Sequence, residues 1–196
     1  YASMSSSDPD KYKFIEYHKW KFKAKIFSPL APLTVKRTPV LMTRVEYGFL
    51  GTYNKNKKSP FETFYMGGDG MSGYSSTYAT ETIGLRGYEN GSIAGNGGYN
   101  SYGYAYSRLS MELRYPFLLE PSSTIYGLVF VEAGNAWRDL KDFNPFQLKR
   151  SAGVGVRIFL PMIGLMGIDW AYGFDRPDGY DQRGGSNFHF IIGQEF

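Results

Sequence analysis

Four lysines at every second position, Lys19, Lys21, Lys23 and Lys25, interleave with Trp20, Phe22, Ala24 and Ile26. A period of two puts the two sets on opposite faces of an extended strand; a helix would scatter the lysines around its circumference. The pattern recurs along the chain and restricts the fold more than any other feature. Leu41, Thr43, Val45, Tyr47 and Phe49 alternate with Met42, Arg44, Glu46 and Gly48. Leu109, Met111, Leu113, Tyr115 and Phe117 oppose Arg108, Ser110, Glu112 and Arg114. Val154, Val156 and Ile158 oppose Gly153, Gly155 and Arg157. Met166, Ile168, Trp170 and Tyr172 oppose Gly167, Asp169, Ala171 and Gly173. In the last segment Phe188, Phe190, Ile192 and Phe196 share one face, while Asn187, His189 and Ile191 take the other. Residues 123–137 are apolar on both faces apart from Glu132, and a lone carboxylate there is costly unless paired.

These segments predict about seven strands, over 11–27, 38–53, 100–117, 123–137, 148–160, 165–174 and 187–196, with no useful helix. Pro116 and Pro121 are expected to close the third. Short turns (28–33, 118–122, 161–164) alternate with longer polar loops (54–99, 138–147, 175–186). Short turns at one end and long loops at the other is the layout of an antiparallel, up-and-down, outer-membrane β-barrel. Such a chain escapes hydropathy, because alternating strands average out, and no apolar run is long enough for a membrane-crossing helix. The expected lipid face is Leu109, Met111, Leu113, Val154, Val156, Ile158, Met166, Ile168, Phe188, Phe190 and Ile192. An arginine at Val156 should then be costly, whereas charge at Gly155, on the opposite face, should be far better tolerated.

Chemistry of the enzymatic kind finds little support. The chain has no cysteine and only two histidines, His18 and His189. Neither histidine sits in a nucleophile motif, and together they make no metal-ligand set. Asp69, Asp175, Asp178 and Asp181 suit solvated loops better than calcium. No catalysis, cofactor or metal is expected. The net charge of +4 is spread along strands rather than gathered in a reading motif, so no nucleic-acid partner is expected either.

The segment 65–99 holds ten glycines, and at its centre stands Leu85-Arg86-Gly87-Tyr88. A structureless stretch of this length in a compact domain is either functional or disordered. Folded back against the strands, its arginine could meet Glu112 and Glu132. The alternative is that Glu112 pairs with Arg108 or Arg114 beside it.

The chain resembles, from residue 11 to 196, the C-terminal barrel portion of BamA-type outer-membrane assembly proteins. LRGY at 85–88 is similar to that family's (Val/Ile/Leu)-Arg-Gly-(Phe/Tyr) motif on an in-folded sixth extracellular loop. SMELRYPF at 110–117, FVEAGNAW at 130–137 and SAGVGVRIFLPMIGL at 151–165 resemble the strands that follow. FHFIIGQEF, ending on Phe196, resembles an outer-membrane assembly signal. The loop's wording is similar to versions from Bacteroidetes-like bacteria. The resemblance implies a sixteen-stranded barrel of which residues 1–196 supply about the last seven strands, with an in-folded loop at 65–99 and a closing strand at 187–196. It implies that Arg86 meets two carboxylates, Glu112 and Glu132. The family commonly has Asp at the position of Glu132, so pairing through a single oxygen is expected here. The implied function is to fold and insert β-barrel proteins through a seam formed by the C-terminal strand, by strand addition. Outer-membrane lipids, nascent barrel proteins and accessory subunits, bound through an N-terminal region, would be the partners. A polypeptide-secretion pore of the same superfamily and a passive porin are the alternatives; a soluble ligand-binding barrel is more remote.

Overall fold

The computed structural model describes residues 15–32, 34–53, 58–70, 81–93, 102–120, 122–162 and 164–193. Within them run β1 (Tyr17–Pro29), β2 (Val40–Thr52), β3 (Phe64–Met66), β4 (Glu81–Ile83), β5 (Ala105–Glu120), β6 (Ser123–Trp137), β7 (Lys149–Leu160), β8 (Gly164–Gly173) and β9 (Gly185–Ile192). A single 3-10 turn, Leu140–Asp142, lies between β6 and β7.

Seven strands form one sheet in the order β1-β2-β5-β6-β7-β8-β9. Every neighbouring pair is antiparallel. Sheet order follows chain order once β3 and β4 are set aside, which makes an up-and-down meander. The sheet does not close: among the described residues β1 pairs only with β2, and β9 only with β8. Register follows the alternation. In β2, Met42, Arg44, Glu46, Gly48 and Leu50 are buried while the residues between them are half-exposed. On the opposite face Phe188, Phe190 and Ile192 are 65%, 58% and 68% exposed. A slip of one residue in any strand would exchange these faces, so the pattern pins the register.

Three sequence expectations need correction. β5 does not stop at Pro116 but continues to Glu120. The β2 ladder has already ended at Arg114, and the register against β6 shifts between Pro116 and Leu118. A bulge there absorbs the missing N–H donor. The first turn is longer than expected, spanning 30–39, with the Leu30 N–H donating to the Pro39 carbonyl at 2.9 Å. The closing strand ends at Ile192. Gly193 follows at φ 74°, a left-handed angle that favours glycine, and it terminates the strand. Phe196 lies outside the described residues, as do 11–14 of the expected first strand, 71–80 and 94–99 of the glycine-rich region, and 100–101 of the expected third strand.

The described part of that region is ordered against the sheet. β3 pairs in parallel with β4, and Phe64 exchanges main-chain hydrogen bonds with Gly103 at 2.9 and 2.7 Å. Gly68 and Leu85 do the same at 3.1 Å. The main chain is thereby satisfied without joining the large sheet. Phe64, Met66, Ile83, Leu85, Tyr88 and Ile93 pack on Leu50, Tyr106 and Ala136 of the inner face. Each fully buried side chain of this size contributes about 1.5–3 kcal/mol. Two sheet glycines make the room: a Cβ on Gly48 would lie 2.2 Å from the Tyr106 ring, and one on Gly134 would lie 2.4 Å from Met66 Cε.

Candidate functional site

The loop delivers Arg86 into the inner face of β5, β6 and β8. Leu85 and Gly68 hold the backbone just before it. Gly87 just after it turns at φ 87°. A Cβ at Gly87 would stand 2.9 Å from both Gly173 N and Ser151 Cβ, so this position needs glycine for space as well as for angle. Tyr88 then anchors the exit, its hydroxyl donating to the Arg150 carbonyl at 2.6 Å. Burial pushes the Tyr88 phenol up to about 12, so it stays a donor throughout the ordinary pH range.

The Arg86 side chain is wholly buried, at 0% exposure. Nη2 donates to Glu112 Oε1 at 2.6 Å and to Glu132 Oε1 at 2.7 Å. Nη1 donates to Asp169 Oδ2 at 3.0 Å. The guanidinium carbon lies 3.4 Å from the centre of the Phe130 ring, stacked on its face. Burial alone would weaken the guanidinium's hold on its proton. The Glu132 and Glu112 carboxylates more than offset this and hold the proton more firmly than in an ordinary arginine. The cation is therefore permanent, and its fixed fork is matched by acceptors on three strands.

Each carboxylate is shared with a second arginine. Arg114 donates to Glu112 Oε2 through Nε and Nη2, at 2.9 and 2.6 Å. Arg108 Nη2 reaches Glu132 Oε1 at 2.9 Å, with the Ser110 hydroxyl at 3.1 Å. Arg157 grips Asp169 with both terminal nitrogens, at 2.5 and 2.7 Å. Arg86 is thus the hub, and Arg108, Arg114 and Arg157 are the rim. Buried charge on this scale is tolerable only when every partner is in place.

Both readings of Glu112 left open by the sequence hold at once: it meets Arg86 and also Arg114. Glu132 does meet the Arg86 side chain through a single oxygen, but its other oxygen, Oε2, accepts the Arg86 main-chain N–H at 2.9 Å. Two partners were missed. Asp169 completes the set of acids, and His189 Nε2 accepts the Gly87 N–H at 2.9 Å. Asp169 carried the same signal that singled out Glu132, one carboxylate on the inward positions of an otherwise uncharged strand. Nothing local marks His189. Of the acidic residues in the 174–184 loop, Asp175 takes Arg150 at 2.9 and 3.0 Å and Asp178 takes Lys149 at 2.9 Å. The expected tolerance of charge at Gly155 is overturned as well. A Cβ there would lie 1.7 Å from Asp169 Oδ1 and 3.1 Å from Arg157 Nη1. Phe188, Phe190 and Ile192 lie on the outer face, away from this cluster.

The Omp85 superfamily domain matches residues 11–196. The chain belongs to the Omp85 superfamily. No curated protein matches it. Among solved structures it is similar to BamA from Haemophilus ducreyi lacking POTRA domains 1-3, with a TM-score of 0.62 and 20% identity over 90% of this chain. At that identity the likeness is one of fold. The chain spans 35% of that solved chain, about a third of its length. The in-folded loop and its arginine lie within the residues that the Omp85 superfamily domain matches.

Proposed function

We propose that the chain is the C-terminal part of an outer-membrane barrel that folds and inserts other β-barrel proteins. One observation carries the reading: in an Omp85 domain, an in-folded loop seats a fully buried arginine on three carboxylates from β5, β6 and β8. Such a plug gives the inner wall a rigid support. The strand β9 has an apolar outer face suited to lipid. Strand addition at a seam formed by β9 would supply the binding energy, and no bond-making chemistry is required of the protein. Outer-membrane lipids, nascent barrel proteins and accessory subunits are its partners in this reading, the last through parts of the protein beyond this segment.

The test is replacement of the chromosomal copy in its source bacterium by one carrying Arg86→Ala. Levels of several unrelated outer-membrane barrels should fall together. Loss of one exported polypeptide with normal barrel levels would instead favour a secretion pore. Altered solute permeability alone would favour a porin.

A further inference from the structure

Asp169 of β8 and His189 of β9 stand directly opposite each other in the sheet, and they hold consecutive residues of the loop. Asp169 takes the Arg86 guanidinium, and His189 Nε2 takes the Gly87 N–H. The imidazole is buried, at 6% exposure. A ring nitrogen that accepts a hydrogen bond carries no proton, so this contact requires the neutral ring with its hydrogen on Nδ1. We propose that His189 is a positioning residue that fastens the loop tip to the terminal strand in its neutral form only, so that protonation of Nε2 loosens the loop and β9 together.

The Gly87 amide is poorly placed to find another acceptor. The Gly87 carbonyl lies so close to the β8–β9 hairpin that a Cβ on Gly173 or Gly184 would come within 2.3 or 2.5 Å of it. Main chain wedged in this way cannot swing its N–H elsewhere without unseating Tyr88 next to it. A protonated ring would present N–H to N–H. The charges that face the ring are the carboxylates of Asp69, Asp169 and Glu132 and the Arg86 guanidinium. The carboxylates compete for the ring's hydrogens and draw a protonated ring off Gly87. Arg86 repels it, which strains the hub as well. Among the described residues β9 pairs with β8, and the loop contact is a further tether on this strand. The insertase reading, on which this consequence rests, makes β9 the pairing edge, and His189 then couples loop seating to the freedom of that edge.

Hydrogen exchange on the full-length protein tests the tether directly, without any insertion assay. Peptides covering 82–93 and 185–192 are followed at about pH 8 and about pH 5, with rates corrected for the intrinsic pH dependence of exchange. The proteins are wild type, His189→Gln and His189→Leu. Glutamine offers an oxygen acceptor that does not titrate; leucine offers none. At the higher pH, wild type and His189→Gln should be protected, and His189→Leu should exchange about ten-fold faster in both segments. At the lower pH, wild type should come to resemble His189→Leu, while His189→Gln keeps its protection. Equal protection of His189→Leu and wild type at the higher pH overturns the proposal. So does an acid response of His189→Gln as large as that of wild type. Should His189→Leu fail to fold, judged by heat-modifiable gel migration, the wild type and His189→Gln comparison decides alone. The insertase reading stands or falls separately, on barrel levels in cells.

Discussion

Glu132 places both of its carboxylate oxygens on a single residue: Oε1 accepts from the Arg86 guanidinium at 2.7 Å, and Oε2 accepts the Arg86 main-chain N–H at 2.9 Å. One side chain on β6 thereby fixes the loop's backbone as well as its charge. The arginine cannot leave its seat by a rotamer change alone, because the main chain would lose its own acceptor.

This geometry sets the penalty for removing the arginine. Arg86 is shielded from water, so the range for breaking a buried pair applies, not that of an exposed one. Arg86→Ala should cost about 3–5 kcal/mol of barrel stability. Arg86→Lys should recover only part of this, since a point ammonium cannot serve acceptors on three strands at once. Arg86→Glu should be worst of all, adding a fourth carboxylate to Glu112, Glu132 and Asp169. Thermal unfolding of the parent barrel, read as loss of heat-modifiable migration, ranks the three.

Glu132→Asp tests the double contact. The shorter side chain cannot span from the guanidinium to the main-chain N–H, and leaving one buried donor unsatisfied costs about 1–3 kcal/mol. The expected outcome is a barrel that folds with a loosened loop, seen as faster exchange at 85–88. Unchanged protection would show that the main-chain contact is dispensable.

Gly155 and Val156 are neighbours on opposite faces of β7, and both should resist substitution for different reasons. Val156 is exposed on the outer face, and Val156→Arg at mid-bilayer depth should cost about 2–4 kcal/mol. Gly155→Ala adds one methyl, yet that methyl displaces the Asp169 carboxylate from Arg157 and Arg86. It should therefore destabilise the barrel far more than Val156→Ala, a comparison open to denaturant titration in lipid vesicles. Equal effects of the two alanines would count against the packed inner face.

Acid should release the small inner sheet from β1. Lys21 Nζ donates to both oxygens of Glu81 at 2.9 and 3.0 Å, and Lys19 Nζ lies 2.9 Å from Oε2. Burial alone would raise the Glu81 pKa, but the hydrogen bonds from Lys21 and Lys19 hold it below the ordinary value of 4.5. A carboxylate depressed on folding stabilises above its unfolded pKa, and that contribution is lost as pH falls through the folded one. Exchange at 81–83, corrected for its intrinsic pH dependence, should thus be steady above about pH 5 and quicken on further acidification. In Glu81→Gln that added acid response should be absent, with faster exchange throughout.

Parity along the chain determined the strands and their two faces, because the direction of a side chain in a strand depends only on whether its position is odd or even. That local rule was enough to put Arg108, Glu112, Glu132 and Arg157 on one side and Val154, Phe188 and Phe190 on the other. Glycine density and the LRGY resemblance were enough to mark the loop and its arginine. What reaches Arg86 was not local. Asp169 lies 83 residues away from it, and His189 lies 102 residues from Gly87. Their arrival depends on the register of β8 and β9 and on the depth to which the loop descends, the latter set by packing of Met66, Leu85 and Tyr88 against the sheet. The side chains of Asp169, on the neighbouring strand, and of Arg157 turned Gly155 from an open position into a filled one. The bulge at Pro116 depended on where the neighbouring β2 ladder stopped, a fact about pairing that no residue of β5 carries by itself.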